Sequence, residues 1–176
     1  MRKLKTEEIR RISAEEFHDA EKIPLVVVLD NVRSLLNVGS VFRTADAYRV
    51  EEIVLCGITS TPPSVEIHKS ALGAEDSVRW SYVDDTLEAV RRLRSEGYKV
   101  FSIEQATGST MLDDFEVVAG EKYAIVMGNE IRGVQQSVID VSDGCIELPQ
   151  FGTKHSLNVS VTAGIVIWEI AKGVRS

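Results

Sequence analysis

Three short polar segments hold the side chains with the most chemical potential, and each lies downstream of an apolar run. In the first, Asn37 to Ala45 (NVGSVFRTA), Arg43 offers a planar fork of donors suited to phosphate. An arginine on the polar face of a helix is also commonly solvated or paired, here with Asp46. Gly39 in the same helical pattern costs about 1 kcal/mol relative to alanine, so something is expected to approach the helix closely there. In the second, Met127 to Gly133 (MGNEIRG), Gly128 leaves room for a ligand against the backbone. Glu130 either serves that site or caps the helix that follows. The pattern is neither GxGxxG nor a phosphate-binding P-loop, so no dinucleotide or nucleoside triphosphate site is indicated. In the third, Leu148 to Val161 (LPQFGTKHSLNVSV), Ser156 and Asn158 open an apolar helix whose first N–H groups suit a carboxylate or phosphate. His155 and Ser156 are adjacent, no GxSxG elbow precedes them and no third triad member is suggested, which argues against a hydrolase.

These segments need a frame. Five apolar runs, Leu25 to Leu29, Ile53 to Cys56, Val100 to Ile103, Tyr123 to Met127 and Cys145 to Leu148, fit strands buried on both faces. Helical patterns lie between and after them. Val38 to Tyr48 places Val38, Val41, Phe42 and Ala45 on one face, with Asn37 as the expected N-cap. Thr86 to Glu96 gathers Leu87, Val90 and Leu93, and Asn158 to Lys172 is long, mostly apolar and contains Trp168. The alternation predicts an α/β fold, a mostly parallel sheet with helices on both faces. Ligands of such sheets bind beyond the carboxyl ends of the strands, where the second and third segments begin.

The chain of 176 residues favours one domain, expected over 23–176, preceded by a charged helix or arm over 1–22. The arm gathers Arg2, Lys3, Lys5, Arg10 and Arg11 among the acidic Glu7, Glu8, Glu15 and Glu16. A net charge of -7 argues against a protein held on nucleic acid by bulk positive charge, though not against a local basic patch. Cys56 and Cys145, far apart, give neither a disulfide framework nor a zinc site. No metal is expected. No run approaches the ~20 apolar residues of a membrane span, and the N-terminus lacks the apolar centre of a signal peptide. A cytoplasmic protein is expected.

Taken in order, the three segments resemble the motifs of the SpoU (TrmH-type) RNA ribose 2′-O-methyltransferases of the SPOUT superfamily. The NxGxxxR pattern stands as Asn37, Gly39 and Arg43. GxExxG stands as Gly128, Glu130 and Gly133. The apolar-Pro pair and SLN stand as Leu148, Pro149, Ser156, Leu157 and Asn158. The flanking DNV, FRTADA and LGAE (Leu72 to Glu75) are similar to the same subgroup, and the likeness runs from about Pro24 to the C-terminus. Leu35-Leu36 stands where many relatives carry Pro-His or a similar pair, a departure that bears on the choice of substrate.

The resemblance implies a C-terminal trefoil knot, an exception to ordinary topology. It implies S-adenosylmethionine in the knot loops against Ile103, Met127, Gly128, Leu148, Ser156 and Leu157. It implies a homodimer with Arg43 of one subunit facing the donor held by the other, and a catalytic set of Arg43, Asn37, Glu130, Ser156 and Asn158. Because arginine is a poor base, Arg43 is expected to grip the phosphate beside the target ribose, Asn37 to position Arg43 or the ribose, and Glu130 to fix Arg43 or the cofactor loop. Arg33, Arg43, Lys69 and Arg132 are the expected RNA contacts. Relatives with a separate N-terminal RNA-binding module are longer, so a structured tRNA is the first expectation and rRNA the next. Two other readings remain: a non-catalytic RNA-binding protein of the same fold, which a methyl-transfer assay separates, and a Rossmann-like small-molecule enzyme. The absence of a Gly-rich loop after Leu25 to Leu29 counts against the last.

Overall fold

The computed structural model describes residues 1–175; residue 176, the last of the expected domain, lies outside the described residues. In chain order the elements are α1 (Ala14–Asp19), β1 (Ile23–Asp30), α2 (Leu35–Tyr48), β2 (Val50–Cys56), α3 (Val65–Ala71), α4 (Ala74–Ser77), β3 (Trp80–Val83), α5 (Thr86–Ser95), β4 (Tyr98–Ile103), β5 (Thr110–Met111), β6 (Lys122–Met127), α6 (Gln136–Ile139), β7 (Gly144–Glu147) and α7 (Val159–Val174). The strands form one seven-stranded sheet in the order β3-β2-β1-β6-β4-β7-β5, and every pairing is parallel. The central strands are apolar on both sides because both faces are covered. On one face Val38, Phe42, Ile67 and Ile167 pack against Leu25, Leu29 and Met127. On the other, Ala89, Val90, Leu93 and Val138 pack against Val26, Val28 and Val126. α7 follows β7 yet packs against α2 and β1, an arrangement compatible with the threaded knot.

The five apolar runs are β1, β2, β4, β6 and β7, as the pattern predicted. The edge strands β3 and β5 and the short helices α3, α4 and α6 carry no pattern that separated them from loops. The start of α2 is a correction. Ser34, not Asn37, is its N-cap: the Ser34 side chain accepts the Asn37 N–H, and the helix begins three residues earlier than the periodicity placed it. Leu35 and Leu36 are therefore helical.

Gly39 behaves as its cost suggested, with α3 as the neighbour. A Cβ there would lie 2.2 Å from the Ile67 carbonyl oxygen and 2.2 Å from Ser70 Oγ. The LGAE segment turns the chain from α3 into α4, where buried Glu75 accepts the Gly73 N–H and meets His68 Nδ1 at 2.6 Å. Burial of the Glu75 carboxyl pushes its pKa up, but these hydrogen bonds outweigh it and hold the group below the usual range. Ahead of β1 the chain forms only a 3-10 turn at Thr6–Glu8 and α1, capped by Ser13, with Phe17 in the core. Among the described residues no helix is long and apolar enough to cross a membrane.

Candidate active site

Register decides which residues meet. Leu29 pairs with Met127, Met127 with Ile103, and Ile103 with Ile146. The next residues, Asp30, Gly128, Glu104 and Glu147, thus lie at or just beyond one carboxyl edge of the sheet. Beyond that edge lies a cleft of about 1020 Å³ lined by Ile103, Met127, Gly128, Leu148, Ser156 and Leu157, together with Glu130, Arg132 and Asn158. All six residues expected against a cofactor line this one cavity. At Gly128 the chain turns back on itself so tightly that a Cβ would sit 2.3 Å from the Gly133 carbonyl carbon and 2.3 Å from the Val134 nitrogen.

Three anchors hold the loop after β6. Asn129 donates its amide to the Asn31 carbonyl (2.7 Å) and accepts the N–H groups of Ile131 and Arg132. Glu104 accepts the Val134 N–H at 3.0 Å. Asp30, 1% exposed, accepts the Gln135 N–H and side-chain amide, the Thr86 hydroxyl and the Asn31 amide. A buried carboxylate is tolerable only when hydrogen-bonded in this way. The loop is therefore a fixed wall of the cleft.

The three polar segments meet through Asn37. Its Nδ2 donates to Glu130 Oε1 at 3.0 Å, and its Oδ1 accepts from Asn158 Nδ2 at 3.1 Å. Asn158 caps α7 by accepting the Ser160 and Val161 N–H groups. Glu130 also accepts the Arg33 and Ser34 N–H groups, each at 2.9 Å. Partial burial raises the Glu130 pKa, but the Arg33, Ser34 and Asn37 donors outweigh it and keep the carboxyl below its ordinary value. Glu130 is thus an acceptor at neutral pH rather than a proton donor. It caps neither α6, whose N-cap is Gln135 without a side-chain bond, nor contacts Arg43; it ties the loop after β6 to the start of α2.

Arg43 is exposed and makes no hydrogen bond or ion pair among the described residues, so the expected partner Asp46 is not used, and it does not line the cleft of its own chain. It projects from the open side of α2 with half-exposed Leu36. Next to α2, the outer side of α7 exposes Val161, Ile165 and Trp168, with Trp168 edge-on to Tyr48 at 5.7 Å. Arg132 lines the cleft, Arg33 reaches its wall only through the backbone N–H bonded to Glu130, and Lys69 on α3 is paired with Glu66 at 2.5 Å. Sequence reading missed Ser34, Asp30, Glu104, Asn129 and Ser160. Only Ser34 and Asn129 carried a local signal, as small polar residues at a helix start and a turn. Among the described residues no group of three His, Cys, Asp or Glu could hold a metal ion.

The SpoU rRNA Methylase family model matches residues 24–168. A 23S rRNA (guanosine-2'-O-)-methyltransferase RlmB of Vibrio vulnificus is 30% identical over 149 residues, covering 85% of this chain and 59% of that protein. Its counterpart in Neisseria meningitidis serogroup B is 31% identical over 146 residues, covering 83% and 57%. The chain thus spans somewhat under two thirds of the length of these curated relatives. Among solved structures, an AdoMet-bound rRNA methyltransferase from Sinorhizobium meliloti superposes with a TM-score of 0.81 at 27% identity, covering 91% of this chain and 61% of that one. The A. aeolicus TrmH/SpoU tRNA modifying enzyme shares the fold with a TM-score of 0.81 at 22% identity, covering 92% and 82%.

Proposed function

This chain belongs to the SpoU rRNA Methylase family, and from that premise we propose that it transfers a methyl group from S-adenosylmethionine to a ribose 2′-hydroxyl of structured RNA, as a homodimer. The observation that carries the proposal is the Glu130–Asn37–Asn158 chain of hydrogen bonds. It sets the helix bearing Arg43 in a fixed relation to the cleft, which a positional catalyst needs.

The cleft fits the cofactor on its own chemistry. Ile103, Met127 and Leu148 offer apolar surface for a purine, and the close-packed backbone after Gly128 offers amides and carbonyls for the polar edges. The volume is at the upper end of the ~300–1,000 Å³ typical of small-ligand sites. Ser156, Leu157 and the start of α7 close the far side. When bound, S-adenosylmethionine supplies a methyl group on a sulfonium, open to in-line attack by the ribose oxygen.

The residues of the chain then contribute orientation, exclusion of water and the management of one proton. Orientation alone can contribute about 7–11 kcal/mol to such a reaction. Arg43, with no partner among the described residues of its own chain, grips the phosphate next to the target ribose through two parallel hydrogen bonds and so turns the 2′-hydroxyl. The hydroxyl proton leaves to that phosphate or to water. Asn37 and Glu130 position α2, and Arg43 lies about 9 Å further along that helix at ~1.5 Å per residue. Ser156 and Asn158 complete the polar rim. The exposed row Val161, Ile165 and Trp168, beside Leu36, supports a dimer contact that carries Arg43 to the cleft of the partner. Arg33 and Arg132 extend the RNA face at the cleft mouth; Lys69 joins it only by releasing Glu66. Residues 1–22 are read as an accessory arm to the domain that begins at residue 23.

The test is incubation with tritium-labelled S-adenosylmethionine and, in separate arms, total tRNA and rRNA. The expected product resists alkaline hydrolysis, because the blocked 2′-oxygen can no longer attack the adjacent phosphate. Label only in bases, or turnover of a free metabolite with no RNA labelled, defeats the proposal.

A further inference from the structure

Among the described residues one phenylalanine lies outside both the core and the cofactor cleft. Phe17 and Phe42 are buried, Phe101 and Phe115 stack edge-on with each other, but Phe151 is 97% exposed. It stands in the stretch between β7 and α7, which is held from the side where Gln105 Nε2 donates to the His155 carbonyl at 2.7 Å. The ring borders a second, shallow recess of about 340 Å³ whose floor and rim include Met111, Glu147, Gln150, Lys154 and His155. Gln105, Glu147, Gln150 and His155 line both this recess and the large cleft, so the two are contiguous.

We propose that this recess is a subsite for one unpaired nucleobase of the RNA, with Phe151 as its stacking platform. The inference rests on the methyltransferase reading and adds to it how the target strand is held. A flat apolar ring in water is a favourable surface for a base, since every base has a π-face. Lys154 makes no ion pair among the described residues and lies in the same recess, and on an acidic chain of net charge -7 it offers local charge complementarity to a phosphate. Glu147 uses one carboxylate oxygen on the Ser109 hydroxyl (2.8 Å), and the other is left to accept from an exocyclic amine. Sequence-selective recognition of RNA acts on splayed single-stranded bases in this manner. The shared wall places such a base beside the cleft, so its ribose, or a neighbouring one, reaches the cleft mouth.

The experiment compares the full chain with Phe151→Ala, Phe151→Trp and Lys154→Gln. Four quantities are read: the initial rate on total tRNA and rRNA, the dissociation constant for S-adenosylmethionine, the number of subunits in the assembly from its mass in solution, and binding of a short unstructured oligoribonucleotide. Loss of one stacked base, worth about 1–3 kcal/mol, corresponds to roughly a 5- to 150-fold loss of RNA affinity or kcat/KM in Phe151→Ala. Lys154→Gln should weaken oligoribonucleotide binding and flatten its dependence on salt. Phe151→Trp should retain activity, and its added indole fluorescence should fall when the oligoribonucleotide binds. Cofactor affinity and mass should not change. Phe151→Ala within twofold of the unmodified chain overturns the subsite, as does a change in its mass, which would make the ring a subunit contact. If the oligoribonucleotide binds and quenches the added indole of Phe151→Trp while no RNA is methylated, the subsite stands and the reaction assignment fails.

Discussion

Replacing Asn37 by aspartate is the sharpest probe of the junction, because it changes one NH₂ to one oxygen with almost no change of shape. In the native chain the amide donates to Glu130 Oε1 at 3.0 Å. In Asn37→Asp two carboxylate oxygens face each other across that distance, while the bond from Asn158 survives. Loss of a hydrogen bond to a charged group costs about 1.5–3 kcal/mol. Repulsion of two unit charges at that spacing adds ~1.4 kcal/mol at the dielectric of water and ~5.5 at an effective value of 20. Glu130 is solvent-accessible, so the low end applies, and the sum is about 3–5 kcal/mol. For a chain of this length each kcal/mol moves the midpoint by about 2–4 °C, so Tm should fall by about 6–20 °C. The pH dependence follows from the same charges. The new carboxyl has a folded-state pKa raised by Glu130, so its penalty is full above that raised value. It shrinks as pH falls toward the ordinary aspartate value of ~3.9. Thermal melts by circular dichroism from about pH 5 to pH 8, each referred to the native chain at the same pH, should show the deficit narrowing in acid. Asn37→Ala, which loses the bonds without gaining a charge, should show a deficit nearly flat with pH. An Asn37→Asp deficit that is absent, or that is as flat as the alanine variant's, would refute the junction as drawn.

Arg43→Ala should leave Tm and cofactor affinity unchanged, since Arg43 holds nothing among the described residues, and should cut methyl transfer below a tenth; a smaller loss removes Arg43 from the mechanism. Mixing Arg43→Ala with Gly128→Ala, each inactive alone, should recover activity if the two groups come from different subunits, as measured by tritium transfer after subunit exchange. Gly39→Ala drives a Cβ into the Ile67 carbonyl and Ser70 and should cost about 1–3 kcal/mol by overpacking, read as a lower Tm. Glu130→Gln should melt below the native chain at neutral pH. Because the native carboxyl has a lowered folded-state pKa, its stabilisation is full above the ordinary glutamate value and disappears as pH falls through the folded one, so the two melting curves should converge in acid.

The sheet was legible in the sequence where strands are largely buried, because β1, β2, β4 and β6 then read as apolar runs, whereas β7, half-buried apart from Ile146, was legible through the run from Cys145 to Leu148. β3 lies at an edge, with Ser81 and Tyr82 in its short span, and β5 has two residues; neither buries enough to leave a pattern. The residues that the family resemblance assigned to a cofactor, Gly128, Leu148, Ser156 and Leu157 among them, line one cleft because they lie where strands end and a helix begins. What joins the motifs was not. The Asn37–Glu130 bond spans 93 residues and the Asn158–Asn37 bond 121, and no local periodicity encodes either. Asn37 read as a helix cap because its residue type suits that role, while Ser34, of the same chemical class, holds the position. Asp30 and Glu104 looked like polar strand ends, and only the folded loop reveals what they accept.

The anchoring of Asn37 by Asn158 also sets an order of events during synthesis. A nascent chain can pair its strands once β7 has emerged, yet the last tie across the pocket waits for the segment that opens α7. Contacts this distant in sequence are late and slow to form, and chains built from N- to C-terminus expose unfinished apolar surface in the interval. The pocket is therefore closed only when α7 arrives, so that a translation product interrupted just before it would contain all seven strands and an open cleft.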